Sequence, residues 1–525
     1  MFSKLFRNCF TFACFVSVLL SLSLSSLVAA EKDSKNDGLS EPVSLRPYAP
    51  GTPQFGKGGT PKSPKFAVLR HDEDWSWLVN TNSEDGPTFP MKVLSLGKSS
   101  EAYATIAVDS RVAVEYFDNE NYGVNAGPDT SLHLLGNIHV GLSLSERFRV
   151  YGAIKYGEVS DKSFQVPVAE DDGPDLHQAF AELAIGDVLS LNQHDFIIRA
   201  GRQELHYGAG RLISIRGGPN VSFDFDGLLA RARLGNRVTD IFAFRPTEND
   251  LGRFDNSSDS SQGLWGAYSS VSLSNLGGSL LHHGHIDAFY IGHQREVSPY
   301  AFQSSPIDEV RHTLGARFWT SRPPPEGLNI DIETGVQFGE AKGLIVNDSS
   351  VEGDILAGFI AGSLSYGLSG FEAIARYTPV ASLRFGYSSG DDDSTDKKIG
   401  TFRAPFPPGR FFGDVNPIGP GNLIGGGPAL SLSPSENLTL TGRAQGFWRA
   451  SSEDGIYAPP QVPVRGNAGD SKFIALETSL LVNWQINKFV RIHATVSYAS
   501  AQSFLEDNLP SKDATYGELH LFYRL

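Results

Sequence analysis

The stretch of sequence that decides the fold runs from Phe196 to Pro246 and reads FIIRAGRQELHYGAGRLISIRGGPNVSFDFDGLLARARLGNRVTDIFAFRP. Its two ends alternate between apolar and other residues with a period of two, which is typical of β-strands. Glycines, Pro219 and Asn220 crowd the part from Tyr207 to Asn220, which indicates a loop. Gly235-Asn236 predicts a tight turn. The stretch therefore predicts strand, Gly-rich loop, strand, turn and strand.

The two strands after the loop separate arginines from aromatic residues. Arg231 and Arg233 share one face of the first strand, whereas Phe242 and Phe244 share one face of the second, with Arg245 on the opposite face. A soluble sheet would bury the aromatic face. A membrane barrel would present that face to lipid and turn the arginines into the lumen, which is the arrangement we expect here.

Composition narrows the class of protein. The 525 residues carry a formal net charge of −15, which argues against a nucleic-acid partner. No segment after the N-terminus has 18 uninterrupted apolar residues, so membrane-spanning helices are not expected. The counts of 55 glycines, 17 tyrosines and 34 phenylalanines fit a β protein rich in turns and aromatic residues.

The N-terminus predicts three parts of the chain. Residues 1–30 have a basic start, an apolar run and the small residues Val28-Ala29-Ala30, which together predict a cleaved signal peptide. Both cysteines, Cys9 and Cys14, lie inside it, so no disulfide is expected in the mature chain. Residues 31–65 are rich in proline and glycine and predict a flexible segment. Residues 66–525 predict the barrel.

Alternating segments recur along the barrel region and predict about 18 strands. Short turns such as Ser145-Glu146 alternate with long polar connections at 157–176, 246–262 and 390–436, which we expect to be extracellular loops. The final segment ends LHLFYRL, a strand of the kind that the barrel-assembly machinery binds. The predicted strands are 103–117, 132–144, 148–156, 179–185, 196–205, 228–234, 239–245, 264–273, 285–293, 311–320, 328–338, 355–366, 371–377, 381–388, 438–448, 472–484, 489–499 and 516–525.

Several motifs, in this order, resemble the alginate-export family of bacterial outer-membrane barrels: GRQELHYGAGRL, IRGGPNV, FDG and FAFRP. RHDEDWSWL (70–78) is similar to that family's entry segment. GTFRAPFPPGRFFGD (400–414), followed by GPGNLI (419–424), is similar to its large loop. The chain departs from the pattern at Ser222-Phe223-Asp224, where the family usually has a basic residue or two before FDG. The resemblance implies an 18-stranded barrel that exports an alginate-like polyuronate.

Arginines on the non-lipid face of the strands are the candidate substrate-binding residues. On the lipid face an arginine would cost about 2–4 kcal/mol at the membrane midplane, so we expect a lumenal position. A guanidinium binds a carboxylate in a bidentate manner, and several weak sites in series would let a polyanion slide. The alternative is that these arginines pair with lumenal carboxylates such as Asp287 and Asp331 and brace the barrel. The candidates are Arg231, Arg233, Arg245, Arg311, Arg317, Arg384 and Arg443 from parity, and Arg202, Arg211 and Arg216 from the resemblance.

Signals for enzymes, cofactors and metals are weak. GYSSG (386–390) matches the motif of a serine hydrolase, but no helix is predicted after it. The histidines at 282, 283 and 285 lack partners at metal-ligand spacing, and the aspartates at 391–396 lack the rest of a calcium loop. We therefore expect no catalysis, no cofactor and no bound metal. The expected function is passive diffusion of an anionic or polar saccharide across the outer membrane of a Gram-negative bacterium, with periplasmic export partners left open. The alternatives are a general or nutrient-uptake porin and an outer-membrane hydrolase using Ser388.

Overall fold

Eighteen antiparallel strands form a closed barrel in the described part of this computed structural model. The last strand pairs with the first, for example Leu521 with Val112, so the sheet has no free edge. The structure describes residues 66–79, 92–97, 102–274, 283–321, 327–415, 418–466 and 469–525. The strands are β1 (Tyr103–Asn119), β2 (Asn125–Ser143), β3 (Phe148–Ser160), β4 (Asp172–Ala184), β5 (Phe196–Gln203), β6 (Phe225–Leu234), β7 (Arg237–Pro246), β8 (Gln262–Ser272), β9 (Gly284–Ser298), β10 (Ile307–Thr320), β11 (Leu328–Val346), β12 (Ser349–Gly367), β13 (Val380–Ser388), β14 (Leu423–Ser435), β15 (Leu438–Trp448), β16 (Phe473–Gln485), β17 (Val490–Ala501) and β18 (Ala514–Arg524).

The remaining elements are short. Val93–Ser95 pairs with the start of β1, Lys398–Ile399 pairs in parallel with β12, and Ile456–Ala458 forms a hairpin with Val462–Arg465. None of the described helices is long and apolar enough to cross a membrane. The helical segments are Arg70–Asp72, Ser76–Leu78, Glu120–Gly123, Gly186–Leu189, Gln193–Asp195, Glu372–Ala375 and Ser503–Asp507. The predicted signal peptide and the predicted flexible segment 31–65 lie outside the described residues.

Connection length distinguishes the two ends of the barrel. Because consecutive strands are antiparallel, the connections after odd-numbered strands lie at one end and those after even-numbered strands at the other. The first end, here called the loop end, has the long connections 204–224, 247–261, 389–422 and 449–472. The second, the turn end, has tight turns such as 235–236 and 436–437. Loops long enough to fold into the lumen therefore enter it mainly from the loop end.

The predicted count of 18 strands is confirmed, but one predicted strand is wrong and another was missed. Residues 371–377 hold the helical turn Glu372–Ala375 at the turn end. Conversely, β14 occupies part of the predicted long loop 390–436, so the true loop is only 389–422. The sequence of β14, LIGGGPALSLSPS, conceals a strand because glycine and proline are rare inside strands. Its register with β15 skips Gly427 and Pro428, which accommodates a proline that cannot donate a hydrogen bond.

The orientation predicted for β7 is wrong. Phe242 and Phe244 face the interior, where they are only 4% and 5% exposed, whereas Ile241 and Arg245 face outward. The sequence misleads because both faces of β7 are apolar, and the interior on this side is filled by inward-folded loops rather than water. The apolar cluster that they form contains Leu205, Tyr207, Leu212, Ile213, Phe225, Leu229, Phe242, Phe244, Leu264, Tyr268, Phe289, Ile291, Ala357, Phe359, Ala361, Phe402, Ala404 and Phe406.

Gly201 explains the first residue of the GRQEL motif. Its φ is +125°, a backbone conformation that L side chains rarely adopt, and a Cβ atom there would lie 2.2 Å from the carbonyl oxygen of Ala179 on β4. β5 can pair this closely with β4 only with glycine at this position. The strand then ends at Gln203, and the Gly-rich loop turns into the lumen.

Candidate functional site

Three segments fill much of the lumen. We call them the N-terminal segment (residues 66–79), the Gly-rich loop (204–224) and the long loop (389–422). The two loops pair with each other, since the Phe406 amide donates to the Leu212 carbonyl and the Ser214 amide donates to the Phe406 carbonyl, both at 2.9 Å.

The N-terminal segment is held by ion pairs to the barrel wall. Arg70 contacts Asp109 on β1 at 3.5 Å. The two oxygens of Asp72 contact Arg199 on β5 at 3.0 Å and Arg231 on β6 at 3.3 Å. Burial alone would raise the pKa of Asp72, but the guanidinium groups of Arg231 and Arg199 bring it below its usual range. The segment is therefore anchored by ion pairs of both signs, through Arg70 to β1 and through Asp72 to the neighbouring strands β5 and β6.

The same segment also reaches the end of the last strand. Arg70 donates a hydrogen bond from Nη2 to the carbonyl oxygen of Leu525, and Lys92 donates one from Nζ to the same oxygen at 3.0 Å. The Leu525 amide and the Val108 carbonyl pair at 2.9 Å. The pairing of β18 with β1 therefore fixes the position of the Leu525 carbonyl.

The Gly-rich loop spans the lumen from one wall to the other. At one side Arg111 on β1 donates to the side-chain oxygen of Asn220 at 2.7 Å. At the other side Arg211 donates to Asp331 at 3.1 Å and to Glu333 at 2.8 Å, both on β11. Burial lowers the pKa of Arg211, but Glu333 and Asp331 outweigh it and raise the pKa above its ordinary value. The predicted site residue Arg211 is therefore lumenal and paired.

Arg216, the second predicted residue of this loop, is bonded differently. Its Nη2 donates to the Val221 carbonyl at 2.8 Å, and its guanidinium lies 3.9 Å from the centre of the Phe223 ring. Burial lowers its pKa to about 10, which still leaves it charged at neutral pH. Its contacts stabilise the fold of the loop.

Three of the strand arginines point inward and are buried in ion pairs. Arg231 makes a bidentate pair with Asp240 at 2.7 and 2.8 Å. Arg317 makes one with Asp331 at 2.9 and 2.8 Å and also contacts Asp287 at 3.3 Å. Arg311 contacts Glu309, Gln337, the Thr401 carbonyl and the Tyr300 hydroxyl. These contacts fit the bracing role that the sequence left open as the alternative.

Of the arginines that the sequence predicted on strands, Arg233, Arg384 and Arg443 also point inward. Arg233 follows the parity of Arg231 near the turn end. Arg443 pairs with Asp414 of the long loop. Arg384 donates to the Phe411 carbonyl at 3.2 Å and lies 5.1 Å from the Phe412 ring centre, with no carboxylate within 4.0 Å among the described residues.

Arg202 and Arg245 do not line the lumen, contrary to expectation. Arg202 lies on the outward face of β5 with Ile198, and no bulge alters its register with Asp226 on β6. It forms a bidentate pair with Asp226 at 2.9 and 3.0 Å. Arg245, the register partner of Asp226 on the other side, is exposed on the outer wall. Both lie near the loop end of the barrel.

Sequence reasoning missed several cations of the interior. Arg149 and Arg199 share Glu182, with contacts of 2.8 and 2.6 Å. Arg403 and Arg410 belong to the long loop, where strand parity gives no signal; they contact Glu309 and Glu518, each at 3.0 Å. The alternation of FIIRAGR could have placed Arg199 opposite Ile198. The loop arginines have no comparable signal. Four further buried cations were missed as well: Arg70 and Lys92 before the first strand, and Arg111 and Lys155 on β1 and β3.

The motifs that suggested catalysis or metal binding have structural roles. GYSSG ends β13 and continues into the long loop rather than into a helix. The ring of His285 stacks on Trp319 with ring centres 4.0 Å apart. Asp391 accepts hydrogen bonds from the Asp393 and Gly400 amides and so shapes a turn.

A small cavity remains between the N-terminal segment, the Gly-rich loop and β1. Its volume is about 80 Å³, and charged groups of both signs line it, including Arg70, Asp109, Arg111, Glu204 and Arg524. A cavity of this size holds a few water molecules but no sugar ring. A saccharide could pass here only if one of the inner segments moved.

Comparison with known proteins gives a consistent class. A family model described as alginate export matches residues 102–510. Solved structures with a similar fold include OccK2 (OpdF) of Pseudomonas aeruginosa, with a TM-score of 0.51, 10% identity, and coverage of 80% of this chain and 97% of that one. OpdK, an outer-membrane protein of the same organism, has a TM-score of 0.50, 11% identity, and coverage of 80% and 98%. No curated protein matches the chain.

Proposed function

Because the chain belongs to the alginate export family and has the fold of outer-membrane channels, we propose that it conducts an anionic or polar saccharide, such as an alginate-like polyuronate, by passive diffusion. Beyond the family and the fold, we propose the substrate class and a substrate-binding role for arginines of the lumen. We place the loop end outside the cell, as is usual for outer-membrane barrels, and the flux direction as export.

The observation that supports an anionic substrate most directly is the environment of Arg384. Its guanidinium has a backbone carbonyl and an aromatic ring as neighbours, and it is only partly buried. Two cations, Arg443 and Arg211, and two carboxylates lie close enough to act on it electrostatically. The carboxylates are those of Asp414 and Glu477. A uronate carboxylate could bind here in a bidentate manner without displacing a protein carboxylate from Arg384.

A general porin is the second candidate, and a specific observation favours it. Arg231, Arg311 and Arg317 already have carboxylate partners, so most of their charge is neutralised within the protein. A lumen whose positive and negative charges are balanced in this way would favour neither anions nor cations strongly. The two candidates therefore differ in the selectivity that they predict.

The test is a planar-bilayer recording of the purified protein with oligouronates and with neutral oligosaccharides of equal length. We expect anion selectivity and block by oligouronates only. Arg384→Gln is expected to weaken that block by about threefold or more, because it removes a charged bidentate donor. Arg245→Gln, on the outer wall, is the matched control and is expected to leave the block unchanged.

The outcomes separate the candidates. Equal block by charged and neutral sugars, with no ion selectivity, would support the general porin. An equal loss of block in Arg384→Gln and Arg245→Gln would contradict the role assigned to Arg384.

A further inference from the structure

A group of metal-ligating side chains lies on the lumenal wall at the seam of the barrel, where β1 meets β18. Glu115 and Glu518 are direct register partners across this seam, and His520 follows on the same face of β18. His520 Nε2 is 2.9 Å from Glu518 Oε2 and 4.0 Å from Glu115 Oε1. One donor atom from each residue lies within 4.8 Å of the other two.

The donors are chemically suited to a transition-metal ion. Imidazole with carboxylates is a usual ligand set for Zn²⁺ and related divalent ions. His520 is 6% exposed, and its Nε2 has no hydrogen bond of acceptable geometry despite the nearby carboxylate. A buried imidazole nitrogen directed at two carboxylates without a hydrogen bond is an independent indication that a ligand belongs there.

Further donors surround the three. His493 Nε2 is 3.2 Å from Glu518 Oε1, and His133 Nε2 is 3.4 Å from Glu115 Oε2. The Tyr516 hydroxyl, which has one hydrogen to donate, lies 2.6 Å from Glu518 Oε2 and 3.1 Å from Glu115 Oε1. Tetrahedral ligands bound at about 2.0–2.2 Å lie about 3.3–3.6 Å apart. The three primary donors, which lie within 4.8 Å of one another, therefore need to close by at most about 1.5 Å.

Arg410 of the long loop presently balances the two carboxylates. Its Nη1 lies 3.0 Å from Glu518 Oε1 and its Nη2 lies 3.4 Å from Glu115 Oε1. A divalent ion beside His520 Nε2 would share Glu115 Oε1 with Arg410 and would take the other oxygen of Glu518, and the positive charge of the guanidinium would then oppose it. Metal and Arg410 are therefore alternative partners for one pair of carboxylates.

We propose that Glu115, Glu518 and His520 form a binding site for a divalent transition-metal ion of the zinc class, in competition with Arg410. His493 on β17 is placed to supply a fourth ligand. Occupation of the site detaches Arg410 and with it one anchor of the long loop. The site is independent of the saccharide that passes through the channel.

The test is calorimetric titration of the purified full-length protein with Zn²⁺, together with the visible spectrum of added Co²⁺. One bound ion per chain and the absorption of low-symmetry Co²⁺ are expected. His520→Ala and Glu115→Gln are each expected to weaken binding about tenfold or more. Arg410→Gln is expected to strengthen it about tenfold, because it removes the competing cation. His312→Ala on β10, which hydrogen-bonds Tyr290, is the control.

The fold of each variant is checked by the mobility of the unheated barrel in gels, and two ligand variants guard against one that fails to fold. Binding that persists unchanged in both His520→Ala and Glu115→Gln would overturn the proposal. So would the absence of Zn²⁺ binding in both the native protein and Arg410→Gln. Weaker binding in Arg410→Gln would overturn the competition.

Discussion

Deletion of residues 66–79 is expected to raise the single-channel conductance about threefold or more and to shift the selectivity towards anions. The segment fills the turn end of the lumen and carries Arg70 against Asp72, Glu73 and Asp74, a net charge of −2. His71 adds nothing to this charge, because burial and Arg199 lower its pKa to about 3. Removing the segment therefore widens the passage and removes negative charge from it.

The barrel wall is expected to tolerate this deletion. Arg199 keeps Glu182 at 2.6 Å, and Arg231 keeps Asp240 at 2.7 Å. Asp109 keeps Arg524 at 3.2 Å. Each group that loses a partner in the segment thus retains another on the wall.

The deletion is measured in planar bilayers beside a control that lacks 14 residues of the preceding proline-rich stretch, 40–53. The control is expected to conduct like the native protein. Native conductance in the 66–79 deletion would show that this segment does not limit the pore. An anion selectivity that falls would show that Arg70 influences the selectivity more than the three acidic residues of the segment do.

Arg317→Glu is expected to lower the free energy of unfolding by about 3–5 kcal/mol. The guanidinium is 3% exposed and satisfies Asp331 and Asp287 together. A glutamate there would bring three carboxylates together in a largely buried place, where Arg211, which donates to Asp331, is left to compensate them. The loss of stability arises more from the carboxylates of Asp331 and Asp287, which lose their partner, than from the lost attraction of the ion pairs.

The double variant Arg317→Glu/Asp331→Arg restores opposite charges and is expected to recover about half of the loss. Denaturant unfolding in detergent, followed by gel mobility of the folded barrel, measures all three proteins. Arg384→Glu is the matched comparison: it is expected to lose less stability than Arg317→Glu, since Arg384 has no carboxylate within 4.0 Å among the described residues. A native-like Arg317→Glu would contradict the bracing role of this arginine.

The periodicity of the sequence predicted the closed barrel, because alternation is imposed by a wall that separates lipid from lumen. It could not orient β7, where Phe242 and Phe244 pack against inward loops and Ile241 faces outward. In such a strand both faces are apolar, and parity alone does not say which one meets lipid. The same limit hid β14, whose glycines and prolines are typical of a loop.

For the candidate site, parity placed Arg317 and Arg384 in the lumen but could not distinguish their surroundings. One lies between two aspartates and the other beside a phenylalanine ring, and these partners come from strands and loops distant in sequence. Arg202 and Arg245 were predicted to lie in the lumen, but they lie on the outer face of the wall. The resemblance placed Arg202 in the lumen, although its phase with Ile198 indicates the outer face that it occupies.

The hydrogen bonds from Arg70 and Lys92 to the Leu525 carbonyl have a consequence for biogenesis. That oxygen reaches its position only when β18 has paired with β1, the junction that closes the barrel. The N-terminal segment, although it leaves the ribosome before any strand, therefore docks after all of them. An unfinished barrel lacks this part of the binding surface for the segment, so complete docking distinguishes a completed channel from an intermediate during its assembly.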